Sequence, residues 1–258
     1  MAAIIPIPAF TDNYIWVIRN DRHAAIVDPG DAAPVIAYLD QHGLELAAII
    51  TTHHHNDHVG GNRALLARSA VPVYGPAREH IPGRTQALGE GDVIEVPEIG
   101  LSLSVLDVPG HTAGHIAYTG RDEAGPLAFV GDTLFACGCG RLFEGTAQQM
   151  YASLAKLAAL DPASRIFCAH EYTVSNLRFA RAAEPSNAAV GERMQREEAR
   201  RARGEPTVPS LLSEELATNP FLRAGQPALM RSAAAKSGRE LREPVDSFAV
   251  LRGWKDTF

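Results

Sequence analysis

Long hydrophobic runs are missing from this 258-residue chain. No stretch approaches the roughly 20 apolar residues that a membrane helix needs, so no membrane span is expected. Cysteine is scarce, and Cys137, Cys139 and Cys168 are too few and too clustered for a disulfide framework. They suit a reducing compartment and read as small residues in tight loops. An excess of positive charge is also absent. Lys and Arg together number 24 against 30 Asp and Glu, a net charge of −6, which argues against nucleic acid as a partner. Lysine occurs only as Lys156, Lys236 and Lys255. The opening residues Met1 to Pro6 carry neither a basic segment nor a long apolar one, and no Arg- and Ser-rich leader follows. No secretory signal is expected from them, and the cytoplasm is the expected location.

With 46% hydrophobic and 21% charged residues, the composition is that of a soluble globular enzyme. The length suits one large domain, or a domain with a smaller partner. Strand-like runs are expected at Ile4 to Pro8, Tyr14 to Arg19, Ala24 to Asp28, Ala47 to Ile50 and Val71 to Tyr74. Further runs follow at Asp92 to Val96, Leu101 to Val108, Ile116 to Tyr118, Leu127 to Val130 and Arg165 to Cys168. Between them, Asp31 caps a helix that Gly43 stops. Helices are also expected after Gly61 and from about Ala147 to Leu160. After Thr173 the strand signals stop and helical spacing takes over. The charged stretch Glu192 to Arg203 reads as a solvated helix, because Glu is interleaved with its arginines.

The densest chemistry lies in Ile49 to Asn62, where five of fourteen residues are His or Asp. In His-x-His-x-Asp-His, side chains two apart on an extended chain point the same way. His53 and His55 can therefore grip one metal, while Asp57 and His58, after a turn, face a second. Three further strand ends carry a His or Asp beside small residues: His111 after Val108, Asp132 after Val130 and His170 after Cys168. Seven donors in four repeated contexts point to a dinuclear site for zinc, iron or manganese. Such a site binds a water between the metals and lowers its pKa to about 7 or less. His54 is expected to point away, His80 to be exposed, and Asp28 to hold a ligand histidine or merely close a turn.

The stretches Phe10 to Tyr14, Thr52 to His58, Pro109 to Thr112, Gly131 to Phe135, Gly138 to Arg141, His170 to Thr173 and Asn219 to Arg223 resemble the hydroxyacylglutathione hydrolase (glyoxalase II) family of the metallo-β-lactamase superfamily. The resemblance implies an α/β fold, an αββα sandwich over residues 1–173, followed by a C-terminal α-helical, substrate-binding domain over residues 174–258. It assigns His53, His55 and His111 to one metal, Asp57, His58 and His170 to the other, and Asp132 to the bridge. Asp57 and Asp132 are then the catalytic carboxylates, with proton relay an added expectation for Asp57. Two divalent metal ions per chain are implied, zinc first and iron or manganese as alternatives.

The implied substrate is a small-molecule glutathione thioester, chiefly S-D-lactoylglutathione, hydrolysed by a metal-bridging hydroxide in the second step of methylglyoxal detoxification. Arg141, Phe143, Tyr172, Arg252 and Lys255 fall at substrate-binding positions. Phe143 stands where the family often has Tyr, and Arg141 where it commonly has Lys. The lost hydroxyl contact is worth about 1.5–3 kcal/mol, and bidentate pairing by Arg141 offers compensation. A monomer is expected. The rival readings are a glutathione persulfide dioxygenase of the same fold and a non-catalytic metal-binding scaffold. A β-lactamase lacks the export signal here, and a nuclease lacks the basic surface.

Overall fold

The computed structural model describes residues 3–258; the first two residues of the opening segment read for a signal lie outside them. Two six-stranded sheets face each other. The first runs in the order β1 (Ala3–Ala9), β2 (Asn13–Arg19), β3 (His23–Val27), β4 (Glu45–Ile50), β5 (Val73–Pro76) and β6 (Gln86–Leu88). Its first three strands are antiparallel and its last four run parallel. The second sheet contains β7 (Val93–Val96), β8 (Leu101–Asp107), β9 (Ile116–Asp122) and β10 (Gly125–Gly131) as a meander. After a two-stranded ribbon, β11 (Leu134–Phe135) with β12 (Gly138–Cys139), the chain returns as β13 (Arg165–Cys168), parallel to β10. A two-residue strand, β14 (Ser210–Leu211), closes that edge.

Strand alternation builds the layers. On β2, Tyr14, Trp16 and Ile18 join the core between the sheets, while Ile15 and Val17 join a second core under the outer helices Ala32–His42 and Asn62–Arg68. β3 repeats the pattern, with Ala25 and Val27 inward and Ala24 and Ile26 outward. This period of two is what a sheet covered on both faces requires. The first helix starts where expected: Asp31 accepts a hydrogen bond from the Ala33 amide, and Gly43 ends it at φ 63°. On the far side, Met150, Leu154 and Leu157 of helix Ala147–Ala158 join the same core as the sheets. So do Phe179, Phe221, Leu229 and Phe248 of the C-terminal part. No described helix is long and apolar enough to cross a membrane.

Two expectations need correction. The region after Thr173 is not helical alone, because Ser210 and Leu211 pair with Ile166 and Arg165. A two-residue strand is too short to leave a period in the sequence. Nor is Glu192 to Arg203 a fully solvated face. Within helix Ala188–Ala202, Arg193 is 1% exposed and Glu197 is 2% exposed. Interleaved charge marks exposure only when the charges lack a tertiary partner, and Arg193 has one. It donates to Glu215 Oε1 at 2.6 Å and to Thr218 Oγ1 at 2.7 Å. Glu215, itself fully buried, accepts the Cys137 amide at 2.7 Å on its other oxygen. Asn219 Nδ2 donates to that oxygen and to the carbonyls of Phe135 and Gly138. The C-terminal helices thereby hold the β11–β12 ribbon and the bend at Cys137, where φ is +56°.

Removing one partner of a buried pair strands the other charge, at about 3–5 kcal/mol. Arg193→Met should therefore lower the urea midpoint sharply. Arg22→Met, which breaks an ion pair whose side chains are 74% and 62% exposed, should leave it nearly unchanged. Equal midpoints for the two variants would show that the Arg193–Glu215 pair contributes nothing to stability.

Candidate metal centre and active site

Every expected donor stands at the C-terminal end of a strand, on one rim of the sandwich. β4 ends at Ile50, the chain bends at Thr52 and His53, and His55 is again open at φ −59° and ψ 143°. It then makes one helical turn, Asn56–Val59, that swings Asp57 and His58 inward. Gly30 is needed beneath this turn, because a Cβ there would lie 1.8 Å from the Asp57 carbonyl oxygen. His111 follows β8, Asp132 follows β10 and His170 follows β13.

The seven donors converge. His53, His55 and His111 offer ring nitrogens within 4.8 Å of one another, and so do Asp57, His58 and His170 with their ligand atoms. His53 Nε2 and His111 Nε2 lie 3.2 and 3.0 Å from His55 Nδ1. Asp57 Oδ2 is 3.5 Å from both His58 Nε2 and His170 Nε2. Asp132 sits between the two sets. Its oxygens are 3.4 Å from His58 Nε2, 3.4 Å from His170 Nε2 and 3.5 Å from His111 Nε2. Two of these buried atoms, His58 Nε2 and Asp132 Oδ1, have no hydrogen-bond partner. A buried polar atom left unpaired is costly. An unpaired imidazole nitrogen and carboxylate oxygen aimed at one space are the donors a divalent cation takes. The residues therefore fit metal.

The outward ring nitrogens are held as well, which fixes tautomer and ring orientation. His58 Nδ1 meets Asp28 Oδ2 at 3.1 Å, and Asp28 also accepts the Thr52 amide and hydroxyl at 2.8 Å. Of the two roles open to Asp28, the structure shows the one that holds a histidine. His111 Nδ1 meets the Arg141 carbonyl at 3.0 Å, and His170 Nδ1 meets Asp12 Oδ1 at 2.7 Å. His115 accepts the Asp132 amide at Nε2 and stacks on His53 at 4.6 Å. His54 turns away from the centre, to Glu79 Oε2 at 2.9 Å and Glu144 Oε1 at 3.3 Å. His80 is exposed, and the three cysteines are buried. Cys139 lies in β12 and Cys168 in β13 rather than in loops.

Burial, with the charge of His58 and other neighbouring imidazoles, drives the His53 pKa well down, and burial lowers those of His55 and His111. These rings are neutral, as metal ligands must be. At His58 and His170 burial is the largest single effect and opposes charge, but Asp132 together with Asp28 at His58 and with Asp12 at His170 outweighs it and raises both. Asp132 is correspondingly held well below the usual carboxylate range by His58 and His170, against burial.

Beside the donors opens a cavity of about 430 Å³. His111, Asp132, Phe135 and Tyr172 line it near the histidines, and Arg141, Arg252 and Lys255 are also in its wall. Tyr172 stacks on His170 at 4.7 Å. Phe143 is 62% exposed and sets its ring edge-on to His55 and His111 at 5.5 and 5.3 Å. Lys255 Nζ reaches Ser175 Oγ at 3.4 Å. Arg252 is only 4% exposed and donates to the Cys139 carbonyl at 2.7 Å, so it braces the loop before Arg141 as well as lining the cavity.

Four contacts lay outside the sequence reading. Asp12 holds His170, Asn13 Nδ2 donates to Asp57 Oδ2 at 3.1 Å, Thr52 joins Asp28 to the metal loop, and Glu79 holds His54. Asp12-Asn13 carries a turn signal, and that signal hid its second task. Thr52 and Glu79 leave no signal, since their partners are distant in sequence.

The metallo-beta-lactamase superfamily model matches residues 9–170, and the model for the hydroxyacylglutathione hydrolase C-terminus matches residues 171–258. The chain is 60% identical over 258 residues to a hydroxyacylglutathione hydrolase of Alkalilimnicola ehrlichii, covering 99% of each. It is 53% identical to one of Nitrosomonas europaea, covering all of this chain and 97% of that one. Among solved structures, ETHE1 from Myxococcus xanthus superposes with a TM-score of 0.65 over the full length of both, at 22% identity. The BLEG-1 B3 metallo-beta-lactamase superposes with a TM-score of 0.62, at 23% identity, over 86% of this chain and 99% of that one. These two likenesses concern the fold alone.

Asp28 has φ +51°, a conformation that Asn tolerates. Asp28→Asn should therefore keep the loop while removing the charge behind His58. Loss of such an outer partner lowers metal affinity about 10–100-fold. A metal titration should show one of two sites weakened. Two undisturbed sites would mean that Asp28 closes a turn and no more.

Proposed function

The chain belongs to the hydroxyacylglutathione hydrolase family of the metallo-β-lactamase superfamily, and from that premise we propose that it is a thiolester hydrolase that splits S-(2-hydroxyacyl)glutathione thioesters, chiefly S-D-lactoylglutathione, into glutathione and the hydroxy acid. The observation that carries this reading is the placing of a seven-donor His/Asp centre and a patch of three cations on one cavity. Residues 1–173 are the catalytic part and 174–258 the substrate-binding part.

His53, His55 and His111 would hold one divalent ion and Asp57, His58 and His170 the other, with Asp132 placed to serve both. Zinc is the proposed occupant, with iron or manganese compatible with the same N and O donors. When bound, the ions supply an activated water and polarise the thioester carbonyl. The protein supplies the rest. Asp57, whose Oδ2 accepts from Asn13 and whose side chain is 42% exposed, would take the proton of the attacking water on its other oxygen. Arg141 and Lys255 receive substrate carboxylates, with Arg252 fixing the loop between them and the centre. Tyr172 and Phe143 flank the thioester. The leaving thiol has a pKa of roughly 8.5, so it departs as thiolate without a dedicated acid.

Three buried free cysteines support a reducing, cytoplasmic setting. The net charge of −6 speaks against nucleic acid, and the proposed form is a monomer. A persulfide dioxygenase reading has only the fold of a 22% identical neighbour behind it, and a non-catalytic scaffold has no use for the cationic end of the cavity.

Asp132→Ala should remove paired metal binding and thioester hydrolysis together, measured by metal analysis and turnover of S-D-lactoylglutathione. Full activity with a single metal would exclude a shared role for Asp132. Lys255→Ala should raise KM for glutathione thioesters far more than it lowers kcat. An unchanged KM would remove Lys255 from the binding set.

A further inference from the structure

Arg141, Arg252 and Lys255 bring three positive heads to one wall of the cavity, and one carboxylate stands among them. Asp256 Oδ1 accepts from Arg252 Nη2 at 3.1 Å and lies 3.5 Å from Arg141 Nε. The three cations are held very differently. Arg252 is buried and committed to the Cys139 carbonyl. Lys255 has the Ser175 hydroxyl at 3.4 Å. The Arg141 side chain is 63% exposed, and Asp256 is its one ion-pair partner among the described residues. The local field stays positive even with Asp256 present. The Lys255 pKa is lowered by burial and then by Arg252 and Arg141, against the pull of Asp256.

We propose that Asp256 is a specificity-determining residue whose carboxylate stands in for a substrate carboxylate at Arg141 and so limits how tightly the cationic wall grips glutathione derivatives. The inference rests on the glutathione-thioester reading above. Two observations support it. The contact with Arg141 Nε is longer than a hydrogen bond and involves a side chain 39% exposed, so it is a weak pair that an incoming ligand displaces. A carboxylate arriving at the open fork of Arg141 can pair with it bidentately. Once the ligand is seated, two carboxylates share one cationic cluster and repel. Substrate and the released thiol carry the same carboxylates, so Asp256 weakens both and hastens product departure.

Asp256→Asn keeps the shape and removes the charge. S-Methylglutathione, a thioether that cannot be hydrolysed, should bind the variant about fivefold more tightly than the wild type in calorimetry, as expected for one screened charge at this range. KM for S-D-lactoylglutathione should fall in parallel. The kcat/KM for S-D-lactoyl-N-acetylcysteamine, which carries no carboxylate, should not move, and Asp256→Glu should return the affinity toward wild type. Weaker or unchanged binding of S-methylglutathione would overturn the proposal and make Asp256 a brace or a bystander. An equal gain on the uncharged thioester would overturn it too. Wild-type protein that binds S-methylglutathione but does not hydrolyse S-D-lactoylglutathione would remove the activity reading while leaving this test decisive.

Discussion

The buried carboxylate of Asp132 is the group on which the centre turns. It lies within 3.5 Å of histidines from three different segments, His58, His111 and His170. Seven polar donors cannot be gathered in a dry rim unless each has something to satisfy it. Asp132 lies against both His58 and His170, and its amide is fixed from behind by His115. The loop after it must then leave without crowding the site. A Cβ at Gly140 would stand 2.0 Å from the Asp132 carbonyl oxygen and 2.9 Å from His111 Nδ1.

The same chain segment links the centre to the far end of the molecule. Asp132 precedes the β11–β12 ribbon, and Arg141 follows it. That ribbon is held by Glu215, Asn219 and Arg252, all from the C-terminal part. Arg141 and Asp132 are therefore two ends of one short element whose position is set by helices about 80 to 110 residues away in sequence. Trp16 and Tyr14 tie the opposite side, donating to the carbonyls of Cys168 and Ala169 just before His170.

Much of this was legible in the sequence because the relevant signals are local. Short apolar runs between turn signals marked the strands, Asp31 and Gly43 bounded a helix, and the alternation of His53 and His55 before a turn separated two sets of donors. The approach of His111, Asp132 and His170 followed from each ending an apolar run. What stayed hidden depends on contacts between distant residues. Arg193 reads as a solvent charge until Glu215 lies beside it. Asp12 reads as a turn residue until β13 brings His170 within 2.7 Å. β14 is two residues long, and only the exposed edge of β13 makes it a strand. The family resemblance marked Arg252 as an anchor, but its burial against Cys139 and Phe221 gives it structural work that no spacing reveals.

The three cysteines have a consequence for chemical resilience. Burial pushes the Cys139 thiol up to about 11 and the Cys168 thiol up to about 12, and Cys137 higher still. Thiolate is the form that attacks disulfides and electrophiles, and at neutral pH these side chains contain almost none. The chain thus has almost no nucleophilic sulfur of its own to offer to a disulfide or a reactive carbonyl. Mixed disulfides with oxidised glutathione and adducts with dicarbonyls have no ready foothold on these buried cysteines.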